Sequence, residues 1–239
     1  MNKQDKRPHA LLSLLVWLLP NSSFKHWALR RMGHQIGTGV TLGSNLVINC
    51  GWFRFDDGSI LQALNLFRNL SRVEVGHDSI IGHFNQFTAA PVYQQFSDRV
   101  GVFRMGAYTL VTHRHYLDCS GQVIIGYHSA IAGIRCLVQS HEIDLVNDLN
   151  TVGRIIIGDY SVVNTASLLL KDAELPDHSI LAAGSVLVKT REDEMARGLY
   201  AGAPAKHVKE LPHLKWYDRD PILNDTMAFD DSKFYLEPL

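Results

Sequence analysis

The sequence predicts a mainly β protein, a parallel β-helix built from six-residue repeats. One observation is an apolar residue at every sixth position in the second half of the chain: Ile157, Val163, Leu169, Leu175, Leu181 and Leu187. Another is a small residue four positions after each of the first five: Ser161, Ser167, Ala173, Ser179 and Ser185. Helices repeat every 3.6 residues and half-buried strands every two, so neither explains this period. A six-residue period is typical of stacked β-helix coils.

The same period occurs earlier in the chain. Its apolar positions are Ile36, Leu42 and Ile48, then Val75, Ile81 and Phe87, then Met105, Val111 and Leu117, then Ile125, Ile131 and Leu137. Glycine directly follows several of them, as at Gly76 and Gly126. We expect these glycines to use their permissive backbone at the corners of the coils. The repeat therefore predicts one β-helix over residues 36–190.

Residues 1–35 precede the repeat and carry two apolar stretches. Residues 10–19 end at Pro20 and are too short to span a bilayer. Residues 24–32 place Trp27 and Leu29 beside Lys25, Arg30 and Arg31. We expect amphipathic helices that cap the open apolar end of the β-helix. The alternative is a peripheral contact of this segment with a membrane surface.

Three stretches leave the six-residue frame and predict loop insertions, at 51–72, 88–104 and 142–154. The second contains Ala89-Ala90-Pro91, and the third is rich in turn-forming residues, which favour a protruding loop. After residue 190 the frame ends, and 191–239 predicts a C-terminal segment with a helix and a tail. Its aromatic residues argue against full disorder.

Composition excludes some classes of function. The 239 residues carry a net charge of −1, which gives no electrostatic basis for binding nucleic acid. The three cysteines, Cys50, Cys119 and Cys136, are odd in number and lack metal-binding spacing. We therefore expect buried thiols in a reducing cytoplasm.

Three motifs in order carry a resemblance to a known family. They are Gln139-Ser140-His141 before the third insertion, residues 182–190 (AAGSVLVKT) and residues 200–206 (YAGAPAK). This order resembles the hexapeptide-repeat acyltransferases, especially sugar O-acetyltransferases. The resemblance implies a left-handed β-helix, a homotrimer, an active site between subunits and acetyl-CoA as co-substrate without a metal.

The resemblance places the catalytic histidine at His141, where a coil ends and the third insertion begins. An imidazole with a pKa near 6.5 can take the proton of an alcohol as the hydroxyl attacks a thioester. Glu142 and Asp144 follow and are candidates to orient the ring, unless they are simply solvated.

A second polar cluster falls one coil earlier and contains His113, His115 and Asp118. These residues are candidates to bind the acceptor, with Asp118 accepting a hydrogen bond from a hydroxyl. The alternative is an exposed polar corner. His113 is the second candidate for the base.

The resemblance also implies a binding site for the acyl donor. Its candidate residues are Ala166, Ala183, Gly184, Ser185, Lys189 and Lys206. The small residues allow pantetheine to approach the backbone, and the two lysines would meet phosphates as point charges.

The sequence and the resemblance thus predict an acetyl-CoA-dependent O-acetyltransferase that acts on a sugar hydroxyl of a surface polysaccharide or its precursor. One alternative is a zinc enzyme similar to carbonic anhydrases of related fold, although His113 and His115 lie two residues apart rather than four. Another is a non-catalytic β-helix scaffold.

Overall fold

The computed structural model describes residues 7–190 and 195–219. Within them, three parallel sheets form the walls of a β-helix, and the chain visits the walls in turn. The left-handed parallel β-helix predicted from the sequence is confirmed.

The strands are short, and each wall collects one strand from every coil. The first wall contains β1 (Gln35–Ile36), β4 (Trp52–Phe55), β7 (Arg72–Val75), β10 (Val102–Met105), β13 (Gln122–Ile125), β18 (Arg154–Ile157) and β21 (Glu174–Leu175). The second contains β2 (Thr41–Leu42), β5 (Ile60–Leu61), β8 (Ile80–Ile81), β11 (Leu110–His113), β14 (Ala130–Ile134), β19 (Val162–Val163), β22 (Ile180–Leu181), β24 (Leu199–Gly202) and β25 (Ala205–Lys209). The third contains β3 (Leu46–Ile48), β6 (Leu66–Arg68), β9 (Gln86–Thr88), β12 (Tyr116–Asp118), β15 (Leu137–Gln139), β20 (Leu168–Leu169) and β23 (Val186–Leu187).

The core is a column of side chains, one from each wall of each coil. Val163, Leu169 and Leu175 are fully buried, as the six-residue period predicts. Rings stack between coils, and Phe67 lies parallel to Phe87 with centroids 4.6 Å apart. Burial of apolar side chains therefore stabilises the stack of coils, in addition to the backbone hydrogen bonds between them.

Two predicted core positions are wrong by one residue. Val47 is buried and Ile48 is exposed, because the corner after β2 has one residue fewer than the corner after β5. Val138 is buried and Leu137 is exposed. There, a β-bulge in β14 adds a residue at Gly133, where φ is 71°. When the connection before a third-wall strand gains or loses one residue, the residue of that strand that points into the core shifts by one.

The insertion expected at 51–72 is instead a regular coil. Phe55, Leu61 and Phe67 repeat every six residues and are buried on the three walls. At the second expected insertion, residues after β9 leave the wall and form a 3-10 helix at Pro91–Gln95 before β10. At the third, an antiparallel hairpin of β16 (His141–Asp144) and β17 (Leu149–Val152) projects between β15 and β18.

The small residues at the first corner join neighbouring coils by hydrogen bonds. Ser161 Oγ accepts from the backbone N–H of Ser179 at 3.0 Å and donates to Pro176 O at 2.7 Å. Ser129 Oγ accepts from Ser161 N at 2.9 Å in the same way. A larger side chain would displace these hydroxyls and leave buried backbone groups unsatisfied.

The second corner uses amides and one imidazole for the same purpose. Asn65 N–H donates to Asn45 Oδ1, Asn85 N–H donates to Asn65 Oδ1, and His115 N–H donates to Asn85 Oδ1. His115 Nδ1 continues the series by accepting from Cys136 N at 3.1 Å. These residues form a buried ladder along the β-helix axis.

The glycines that follow apolar anchors serve a different purpose from the one predicted. A Cβ at Gly126 would lie 2.7 Å from Asp159 N of the next coil, and one at Gly158 would lie 2.5 Å from Asp177 N. These glycines are needed for close approach between coils. The positive φ values near this corner belong instead to residues such as His128 and Tyr160, at 51° and 55°.

Two helices cover the first coil, α1 (Ala10–Leu18) and α2 (Ser23–Arg31). Trp17 is fully buried and its ring lies 4.7 Å from that of Phe53. Lys25 of α2 is buried between the helices and the first coil, and burial lowers the pKa of its ammonium from 10.5 to about 8. Its Nζ donates to four carbonyls, Trp17 O and Leu19 O of the helical segment and Leu42 O and Gly43 O of the coil.

The other end is closed by the β24–β25 hairpin, which continues the second wall. A 3-10 helix follows at Lys215–Asp218, and Tyr217 Oη donates to His178 O at 3.0 Å. The tail predicted after it lies outside the described residues. No described helix has the length and apolar character needed to cross a bilayer. All three cysteines are buried.

Candidate active site

His141 begins the hairpin that leaves the third wall. Ser140 before it is fully buried, and its carbonyl accepts from Gly153 N where the hairpin returns. The hairpin base is thereby fixed, while the His141 side chain remains 37% exposed. The imidazole thus stands at a rigid corner with access to solvent.

Asp118 lies one coil away and orients that imidazole. Its Oδ2 accepts from His141 Nδ1 at 2.7 Å. Its side chain is only 8% exposed. Ser140 donates to Oδ2 from N and Oγ, at 3.0 and 3.1 Å, and Ser120 donates to Oδ1 from N and Oγ, at 3.2 and 2.5 Å. Five donors therefore hold this carboxylate in one position.

The hydrogen bond from Nδ1 assigns the tautomer of His141. When Nδ1 carries the proton, Nε2 has a free lone pair and can accept a proton from a substrate. A buried carboxylate next to Nδ1 also stabilises the imidazolium that results. The pair of His141 and Asp118 has the geometry of a general base with its orienting group.

This arrangement corrects the predicted role of Asp118. It was expected to accept a hydrogen bond from an acceptor hydroxyl, but its oxygens are occupied by protein donors and it is buried. It supports the base instead.

Glu142 and Asp144 do not orient the ring as expected. Glu142 Oε1 lies 2.9 Å from Lys171 Nζ. Asp144 accepts from Val146 N, Asn147 N and Asn147 Nδ2, and so closes the hairpin turn. Both carboxylates therefore make contacts that stabilise the hairpin and not the imidazole of His141.

The predicted role of His115 in acceptor binding is wrong. The residue is 2% exposed, and its Nε2 lies 2.9 Å from Thr112 Oγ1 while Nδ1 accepts from Cys136 N. Burial lowers its pKa to about 4, with a smaller contribution from the charge of His113. His115 is therefore a neutral member of the buried ladder.

His113 is exposed at the end of β11, at the second corner. Its Nδ1 accepts from His83 N at 2.9 Å, and the two rings stack at 5.6 Å. The third wall separates this corner from His141, so one chain does not bring the two histidines together.

Tyr93 was not singled out from the sequence, although it lies beside the base. Its ring centroid is 6.2 Å from that of His141. Burial, and then the charge of Asp118, raise the pKa of its hydroxyl. Tyr93 comes from the 3-10 helix at Pro91–Gln95, so the second insertion forms part of the wall around His141.

The small residues predicted for donor binding lie at the second corner of the last coils. Ala166, Ala183 and Gly184 are exposed there. Ala166 N donates to Ile134 O and Gly184 N donates to Thr165 O, so a ligand amide would have to use carbonyls at these positions. Ser185 is buried, and its Oγ accepts from Gly202 N at 3.2 Å. Its side chain is therefore not available to contact the acyl donor.

The two predicted lysines line one cavity. Lys189 and Lys206 border a space of about 350 Å³ together with Tyr200 and His207, between the last strand of the third wall and the β24–β25 hairpin. Two ammonium groups at one cavity form a site suited to phosphate.

The described residues contain no group of three or more His, Cys, Asp or Glu placed to hold a metal ion within one chain.

Asp118 as partner of His141 was missed because of the bulge at Gly133. The predicted core positions align Leu117 with Leu137, whereas the sheet pairs Leu117 with Val138 and Asp118 with Gln139. The shift brings Asp118 nearer to His141 along the third wall. A glycine between Ala132 and Ile134 was the available signal for an extra residue.

No model of a known protein family matches the chain, and no curated protein matches it in sequence. Solved structures do match. A mutant of AntD, an N-acyltransferase from Bacillus cereus, in complex with dTDP and coenzyme A is 13% identical with a TM-score of 0.52, covering 80% of this chain and 91% of that one. Another AntD mutant, with dTDP-4-amino-4,6-dideoxyglucose and coenzyme A, is 12% identical with a TM-score of 0.52, covering 79% and 89%.

The polysialic acid O-acetyltransferase OatWY is 19% identical over 80% of this chain and 91% of its own, with a TM-score of 0.48. The AntD structures show that this chain shares their fold.

Proposed function

We propose that this protein is an acetyl-CoA-dependent O-acetyltransferase that acts on a sugar hydroxyl by direct transfer. The observation that carries the proposal is the half-exposed His141 imidazole, held at Nδ1 by the buried carboxylate of Asp118. The pair leaves Nε2 as a proton acceptor at the surface. The shared fold with an N-acyltransferase that binds coenzyme A supports the same class of reaction.

In the proposed reaction, Nε2 of His141 takes the proton of the acceptor hydroxyl as its oxygen attacks the thioester carbonyl of acetyl-CoA. The C–S bond then breaks, and the imidazolium returns the proton to the leaving thiolate. The products are the acetyl ester and CoA. Holding both substrates at one site supplies proximity, so no covalent enzyme intermediate is required.

The donor would bind along the last coils with its phosphates at the cavity of Lys189 and Lys206. Ala183 and Gly184 provide an exposed corner without bulky side chains for pantetheine. The residues present therefore fit the charge and shape of a CoA thioester. The reaction needs no metal.

For the acceptor we propose a surface polysaccharide or its activated precursor. AntD binds a dTDP-sugar with the same fold, which supports a saccharide in this position. We further propose a cytoplasmic homotrimer with its sites between subunits. The three unpaired, buried thiols suit a reducing compartment.

The test is turnover of His141→Asn, measured as CoA release with saccharide hydroxyl acceptors and with amino sugars in parallel. Removal of the general base is expected to lower kcat by roughly 10²- to 10⁴-fold, with the fold and CoA affinity retained. His77→Asn is the matched control, since His77 also pairs with an aspartate, Asp78, but lies at the first corner between β7 and β8, and it should stay near wild type. Near-normal turnover of a folded His141→Asn would refute the proposal. Transfer to amino sugars alone would assign the chain to N-acylation.

A further inference from the structure

The two cap helices have an apolar side that stays exposed among the residues that the structure describes. Their inner side, with Trp17 and Leu29, is buried on the first coil. Their other side carries large apolar side chains that are 46–62% exposed: Leu11, Leu12, Leu15 and Leu18 on α1, and Phe24 and Trp27 on α2. An outer cap face is normally polar in a solenoid, so this surface needs an explanation. We call these six residues the cap surface.

The spacing places each set on one side of its helix. Leu11, Leu15 and Leu18 follow one another by four and three residues, and Phe24 and Trp27 by three. The Phe24 and Trp27 rings stack at 5.8 Å. Both helices pack their inner sides on the same end of the β-helix, through Trp17 and Lys25. The outer sides therefore face away from the β-helix at that end.

The charged side chains of the two cap helices are all basic. Neither helix contains Asp or Glu, and Arg30 and Arg31 of α2 are exposed. The acidic residues Asp56 and Asp57 belong to the coils, where Asp56 pairs with Arg54 and Asp57 accepts from Thr38 N. The exposed guanidinium of Arg31 lies 5.7 Å from the Trp27 ring, at the edge of the apolar surface. The chain as a whole is nearly neutral, so this end differs from the rest.

We propose that the cap surface binds an anionic lipid bilayer. Leucine and aromatic side chains would enter the interface between headgroups and acyl chains, and the basic residues would meet lipid phosphates. A second copy fits less well, because two such ends would bring the basic side chains of the helices, Arg30 and Arg31, together. The β-helix would then stand on the membrane by its first coil. This inference is independent of the proposed chemistry.

The experiment is sedimentation of the full chain with phosphatidylcholine vesicles, with and without phosphatidylglycerol. The double variant Leu15→Gln with Phe24→Gln removes apolar contacts from the cap surface. Leu64→Gln with Phe96→Gln is the matched control, because Leu64 and Phe96 are exposed elsewhere on the body. We expect binding that requires phosphatidylglycerol and that falls about tenfold or more in the first variant only.

Tryptophan fluorescence and a charge variant test the same interaction independently. Tryptophan emission should shift to shorter wavelength on vesicles in wild type and not in Trp27→Phe, and Arg31→Gln should weaken binding to phosphatidylglycerol several-fold. Circular dichroism and CoA binding of all variants should match wild type. Absence of vesicle binding by the folded protein would overturn the proposal, as would equal binding by both double variants. Self-association that only the cap variant loses, without vesicle binding, would assign the surface to a second copy.

Discussion

Asp118 determines what His141 can do, because it fixes both the ring orientation and the tautomer. Its five donors come from three residues, and Ser120 and Ser140 contribute both a backbone N–H and a hydroxyl. Such a carboxylate supports the base without touching substrate. We therefore treat Asp118 as a positioning residue.

Asp118→Asn is expected to lower kcat by roughly 10²- to 10⁴-fold while the KM for acetyl-CoA stays near wild type, because an amide no longer selects the productive tautomer. Ser120→Ala removes one donor to the carboxylate and should reduce kcat far less. Steady-state kinetics and thermal unfolding of both variants provide the check. A loss of stability that accompanies unchanged kcat would leave Asp118 with a structural role alone.

Two buried histidines make the fold sensitive to acid. His34 Nδ1 accepts from Phe53 N and His115 Nδ1 accepts from Cys136 N, so protonation would place two donors against each other. Burial lowers the pKa of each from 6.5 to about 4. The unfolded chain binds protons first as pH falls, so stability is full above about pH 6.5 and declines toward pH 4, by about 3 kcal/mol per histidine.

His115→Asn tests this directly, since asparagine already occupies the equivalent ladder positions at Asn65 and Asn85. The amide oxygen can still accept from Cys136 N but does not titrate. Denaturant unfolding between about pH 7.5 and about pH 4.5, a range that covers most of the interval between the unfolded and folded pKa of His115, should show a shallower decline in the variant. An unchanged slope would mean that His115 is not the titrating group.

At the scale of elements, the six-residue frame predicted the β-helix because each anchor must fill the core of its coil. The frame could not predict the bulge at Gly133 or the shorter corner after β2, since backbone connections of different length leave the apolar pattern nearly unchanged. The coil at 51–72 was missed although Phe55, Leu61 and Phe67 keep the period. For the site, position predicted His141, whereas its contact with Asp118 depended on the register that the bulge shifts.

The N-terminal cap is held on the first coil by Lys25 as well as by Trp17. Lys25→Met keeps the apolar stem but removes the ammonium that donates to carbonyls such as Leu19 O and Leu42 O. We expect it to lower the free energy of unfolding by roughly 2–4 kcal/mol. Lys209→Met, at an exposed position, should change it by less than about 0.5 kcal/mol. Equal unfolding midpoints for the two variants would contradict this account of the cap.

At the level of the whole molecule, the exposed hairpin tip is a candidate contact between subunits. Leu145 and Val146 are 87% and 92% exposed at the turn between β16 and β17, on the hairpin that begins at His141. We expect them to contact a neighbouring subunit in a trimer. Light scattering should give three times the chain mass for wild type and a smaller species for Leu145→Glu with Val146→Glu. Phe96→Glu, at another exposed position, should remain trimeric. A monomeric wild type at micromolar concentration would refute the trimer.

In the proposed function, the last coils bind a CoA thioester that the His141 and Asp118 pair uses. Calorimetric titration with acetyl-CoA is the measurement to make first, because it needs no knowledge of the acceptor. We expect saturable binding that weakens several-fold with 3′-dephospho-CoA or in a Lys189→Gln, Lys206→Gln variant, and that His141→Asn leaves intact. Absence of binding by the folded wild-type protein would contradict it, and its zinc content would then separate a metal enzyme from a scaffold.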